Sequence, residues 1–129
     1  MTNTAYGRAS MAYRASGLLI HEPATVALAL HQKLYAAVTS ASLAEEQNRL
    51  DEMTTHVQTA TSLLTAMRMH MNFELAGADG RRLAEFYRRL QRQIVAAGML
   101  REGSPEWANI TAQIRNVMLG LSKATSRQH

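Results

Sequence analysis

The chain has 129 residues, a formal net charge of +4 and no cysteine, with a sequence pI near 10.0. Without cysteine there can be no disulfide framework and no thiolate metal site. Ala, Leu, Met, Arg and Gln dominate and aromatics are few, which favours helices over a sheet. The length suits one domain, 1–129, with a core that needs no staples. Met1 to Ser10 is polar and reads as no secretion signal, and no run of 18 apolar residues is present to span a membrane. A soluble protein of the cytoplasm is expected.

In chain order, 1–20 forms a leader of mixed character. Tyr6, Met11, Tyr13, Leu18, Leu19 and Ile20 are apolar, while Gly7 and Gly17 loosen any helix. The leader reads either as a frayed terminus or as a partly ordered segment that packs on the fold and can come off. Tyrosines suit the second role because their rings bury while their hydroxyls stay wet. Pro23 fits the first turn of a helix, and the spacing predicts helix over 23–40, apolar nearly all round, with His31 and Lys33 as polar interruptions. A short loop, 39–42, would then force an antiparallel hairpin.

The second predicted helix is the longest, 43–73, and reads as the spine. Ser42 and Glu45 have the spacing of a capping box. Leu50, Met53, Val57, Ala60, Leu64, Met67 and Met71 alternate three and four apart, the seam of a helix packed on helices. A turn over 75–80 follows, with Asp79 as the expected cap of a third helix, 80–97, whose seam is Leu83, Tyr87, Leu90, Ile94 and Ala97. Gly98 is expected to end it. Ser104-Pro105-Glu106 starts the fourth helix, 105–123, with Trp107, Ile110, Ile114, Val117 and Leu121 on its seam. A flexible tail, 124–129, closes the chain. The predicted fold is all-α, an antiparallel up-down-up-down four-helix bundle with a partly ordered N-terminal segment.

Nothing in the sequence assembles a catalytic site. Glu52 and His56 stand four apart beside Asp51, without a second copy to complete a metal centre, and His21, His31 and His70 are scattered. These histidines are expected to be solvated or singly hydrogen-bonded. No nucleophile has an adjacent base, and no glycine-rich phosphate loop occurs, so no enzyme, cofactor or metal is expected. Arg81, Arg82, Arg88, Arg89 and Arg92 give the third helix a basic character. They fit a solvated face, with phosphate contact as the competing reading.

Several apolar residues fall off the seams: Leu28, Tyr35, Leu63, Met69, Phe73, Phe86, Val95, Met118 and Leu119. One core cannot absorb them all. They either widen the core at its flanks or line exposed grooves that accept an amphipathic segment, a use to which adaptable methionine is suited.

The stretch from Met71 to Gly98 resembles the family of flagellar export chaperones named FliS. Glu74, Gly77, Leu83, Phe86, Tyr87, Leu90 and Ile94 follow that family's pattern without a gap, with Asn72 in place of an acid. Glu22-Pro23 before an apolar helix is a second match, and Tyr6 or Tyr13 could supply the family's leading tyrosine. Two features depart from it: Leu30-His31-Gln32-Lys33 replaces Leu-Phe-Asp-Gly, and the double arginine is displaced to Arg88-Arg89. The resemblance implies a bacterial cytosolic chaperone for the disordered C-terminal segment of flagellin. It would prevent premature polymerisation and aid type III export, with the export gate as a further partner, without a cofactor or membrane insertion. A monomer or weak homodimer is expected. The partner-binding residues would be Tyr6, Tyr13 and the nine off-seam apolar residues. The alternative is a basic helical nucleic-acid-binding or regulatory adaptor.

Overall fold

The computed structural model describes residues 23–70, 77–100 and 105–127, all four helices of the expected bundle. We number them α1 (Pro23–Glu46), α2 (Leu50–His70), α3 (Gly77–Leu100) and α4 (Pro105–Arg127). No strand occurs among the described residues. The leader residues Tyr6 and Tyr13, and Phe73 beyond α2, lie outside them.

The first hairpin departs from expectation. The break falls at residues 47–49, and the segment expected as a loop, 39–42, is continuous helix. Asn48 adopts φ 60°, the left-handed region that asparagine tolerates better than most residues. Around it the amide of Asn48 bonds the carbonyl of Glu45 at 3.0 Å, and that of Arg49 reaches back to Ala44 at 2.7 Å. These two bonds are the Schellman pair that satisfies the last carbonyls of a helix. The amide of Met53 then bonds the Arg49 carbonyl at 2.9 Å, starting α2. Ser42 therefore caps nothing; it sits within α1.

This shift moves the organising element from α2 to α1. Ala27, His31, Leu34, Val38, Ala41 and Glu45 are buried at alternating spacings of four and three, and Ala37 and Ala44 broaden the stripe. Small residues on that stripe let neighbours come close, and α1 packs most extensively, along α2 and α4. The faces α2–α3 and α3–α4 are thinner, and α1 touches α3 across the diagonal. The seams expected for α3 and α4 are all buried. On α2, Met53, Ala60, Leu64 and Met67 are buried while Leu50 and Val57 pack at the edge. Cross-helix pairs fix the directions: Glu45 meets Trp107 while Tyr35 meets Arg115, so α1 and α4 are antiparallel.

α3 begins at Gly77 rather than Gly80 and runs past Gly98, so Asp79 lies in its first turn and Gly98 is an interior residue. A Cβ at Gly98 would stand 3.2 Å from a Val57 methyl. The glycine is there for close approach of α3 to α2, not for termination.

Candidate functional site

The off-seam apolar residues divide into two classes. Leu28, Tyr35, Leu63, Phe86 and Met118 pack half-buried against the core and widen it. Met69, Val95 and Leu119 stand in solvent, with Met69 76% exposed. The structure adds two residues to that second class, Leu43 at 52% and Met99 at 74%. Leu43 was hidden in the sequence by its place beside an apparent cap, and Met99 by its place after a glycine.

These residues do not form one continuous patch: Val95 and Met99 line one groove and Leu43 another, while Met69 and Leu119 stand outside both. Between α2 and α3, a groove of about 390 Å³ is walled by Met53, Val57, Val95, Gly98 and Met99. Val95 and Met99 also wall an adjoining groove of about 510 Å³ that Arg68, Arg88 and Arg92 rim. The groove floor exists because Gly98 brings the two backbones together, leaving Val95 and Met99 to project on either side of the contact. Arg68 donates to Gln91 at 2.6 Å and clamps the far end. Met69 follows Arg68 on α2.

Between α1 and α4, a second groove of about 600 Å³ is lined by Tyr35, Leu43, Glu45, Trp107, Ala108 and Thr111 among others. Leu28 lies one heptad before Tyr35, and Met118 one heptad after Thr111, so both continue the same helix faces, with Leu119 beside Met118. Arg115 donates to the Tyr35 hydroxyl at 2.7 Å and sits 5.6 Å over its ring, which holds the phenol in one position. Leu63 belongs to neither groove. It lines a shallow depression on α2 with Thr55, Gln58, Thr59, Ser62 and Ala66. Phe86 packs on Tyr87, with Arg89 5.9 Å over its ring.

The arginines of α3 are not a bare basic strip. Arg88 and Arg92 share Glu85, at 2.9 and 3.8 Å, in exposed pairs that contribute little to stability. Arg89 is spent on Phe86. What remains is a cationic rim beside an apolar groove, without an array of aromatic platforms for bases.

Two buried polar pairs, both missed by sequence reasoning, cross the bundle. His31 is neither solvated nor singly bonded. Its Nδ1 lies 2.7 Å from the Ala27 carbonyl and its Nε2 lies 2.8 Å from the Tyr87 hydroxyl. Nδ1–H therefore donates to the carbonyl, and Nε2 accepts from the phenol. Burial pushes its pKa down to about 4, with the backbone bond opposing the shift. Glu45 lies beneath the α1–α4 groove and accepts the indole N–H of Trp107 at 2.9 Å. Glu52 pairs with Arg49 at 3.7 Å, and no cluster of metal-ligating side chains occurs among the described residues.

A family model described as flagellar protein FliS matches residues 5–119, taking in the first three helices and most of the fourth. No curated protein and no solved structure matches the chain. No helix among the described residues is long and apolar enough to cross a membrane.

Proposed function

Since the chain belongs to the FliS family of flagellar proteins, which are export chaperones and not enzymes, we propose that it binds the C-terminal segment of newly made flagellin. The observation that carries this reading is the apolar groove between α2 and α3, where Val95 and Met99 are exposed beside the Gly98–Val57 contact. Apolar side chains held at that exposure on a rigid helix pair are a receptor for an amphipathic helix. The client segment is disordered until it assembles, and it folds in the grooves as it binds. Apolar burial drives this while ordering of the client opposes it, so affinity stays below what the area alone would give.

Sequestering the segment prevents premature polymerisation in the bacterial cytosol and presents the subunit for type III export, with the export gate as a further partner. The exposed residues Met69, Val95 and Leu119, and the half-buried Leu28, Tyr35, Leu63, Phe86 and Met118, supply the contact surface. In this reading residues 1–20, with Tyr6 and Tyr13, compete for a groove until the client arrives. Engagement of Arg88 and Arg92 with Glu85, and of Arg89 with Phe86, supports this reading over nucleic-acid binding.

Calorimetry with full-length flagellin and with flagellin lacking its C-terminal segment tests the proposal. The full-length protein should bind at about micromolar affinity or tighter, near −8 kcal/mol. The truncated one should give no heat. Met99→Glu should weaken binding by about tenfold or more, since a buried methionine contributes about 1.5–3 kcal/mol. A silent titration with the cognate full-length flagellin would refute the reading.

A further inference from the structure

Glu45 is a charged residue placed where a charge is unfavourable. Its side chain is turned into the bundle, 7% exposed, in the last turn of α1, where the helix dipole disfavours an anion. One carboxylate oxygen accepts from Trp107; the other, Oε2, is shielded from solvent and has no hydrogen-bond partner. Trp107 needs only a neutral acceptor, which a glutamine would supply. The second oxygen and the charge are therefore surplus to the fold.

Glu45 is among the residues that line the α1–α4 groove, about 600 Å³ between Tyr35, Leu43, Trp107 and Ala108, with Oε2 just beneath that surface, where a turn of the carboxylate would present it. Glu46 also lines it. The cation on the same faces, Arg115, is held on Tyr35. This end of the groove is thus acidic in a chain whose formal charge is +4.

We propose that the α1–α4 groove accepts an amphipathic helical segment of a partner protein bearing one lysine or arginine, and that Glu45 selects it by pairing with that cation. For the identity of the partner this rests on the client reading above; for its chemistry it rests on Glu45 and the groove. The apolar walls hold the helix, while the carboxylate fixes its register. A desolvated, hydrogen-bonded ion pair discriminates more sharply than a rim charge does.

The chain has one tryptophan, so the indole N–H of Trp107 gives a single resonance reporting on the carboxylate it bonds. The test titrates labelled protein with three helical peptides that share a Leu/Ala face and differ centrally as Lys, Gln or Glu. The Lys peptide should bind about tenfold tighter than the Gln peptide, with movement of the Trp107 resonance, and the Glu peptide more weakly still. Glu45→Gln keeps an acceptor for Trp107 and removes the charge; in it the Lys preference should fall to about twofold or less, while Glu46→Gln retains most of it. Equal affinity for Lys and Gln peptides on the unmodified protein, no binding by any peptide, or a Lys preference that survives Glu45→Gln overturns the proposal. If Glu45→Gln does not fold, the Lys-to-Gln ratio on the unmodified protein decides. Flagellin heat without a Lys preference sinks this inference alone, and a Lys preference with silent flagellin sinks the client reading alone.

Discussion

Between pH 7 and pH 4 the native state should lose about 3 kcal/mol of stability through His31 alone. Its ring is enclosed between Ala27 and Tyr87, and burial holds its pKa at about 4 against an ordinary 6.5. The native state thus keeps the imidazole neutral, and the unfolded chain protonates first. A depressed histidine pKa means the contribution is complete above pH 6.5 and erodes as pH falls towards 4. At about 1.36 kcal/mol per pKa unit, the loss is about 2 kcal/mol at pH 5 and about 3 kcal/mol at pH 4. Carboxylates also titrate in that window, so the histidine must be isolated by difference. Urea unfolding of the parent and of His31→Gln at pH 7, 6, 5 and 4 does this, because the carboxylates are common to both. The gap between the two should close by about 2 kcal/mol from pH 7 to pH 5. Parallel pH profiles for the two proteins would show that His31 is not held neutral by the fold, and the buried pair would have to be abandoned.

Tyr87→Phe should cost about 1 kcal/mol at pH 7, because it removes the hydroxyl that bonds Nε2 of the buried His31; an unchanged urea midpoint would contradict the pairing. Met67→Glu, at a buried seam position, and Leu64→Asp should each unfold the bundle, whereas Met69→Glu should leave the melting temperature nearly unchanged and weaken flagellin binding. A Leu64→Asp variant with unchanged helicity would show the seam to be misplaced. Arg88→Ala with Arg89→Ala should shift stability by about 1 kcal/mol or less, and any DNA or RNA binding should vanish at physiological salt. Deleting residues through Tyr13 should leave the helices folded by circular dichroism and raise client affinity in calorimetry.

Helix content and the seams of α3 and α4 were legible in the sequence because they are local properties. Leu83 to Ala97 and Trp107 to Leu121 repeat at three and four, helix formers dominate, and Pro105 announces a start. The exposed apolar residues were legible in part: an apolar residue off a seam is visible, but whether it widens the core or faces water depends on the neighbouring helix. Phe86 went one way and Val95 the other. The break between α1 and α2 went wrong for a related reason. Ser42 and Glu45 satisfy the spacing of a capping box, yet Glu45 is claimed by Trp107, 62 positions away, and the actual stop is the left-handed Asn48. Gly98 likewise reads as a terminator until Val57 is placed 3.2 Å from where its Cβ would be. Periodicity, helix formers and proline act within a few residues and survive in the sequence. The pairing of His31 with Tyr87, the stranded oxygen of Glu45 and the depth of each groove depend on which helices lie side by side, and only the assembled bundle decides that.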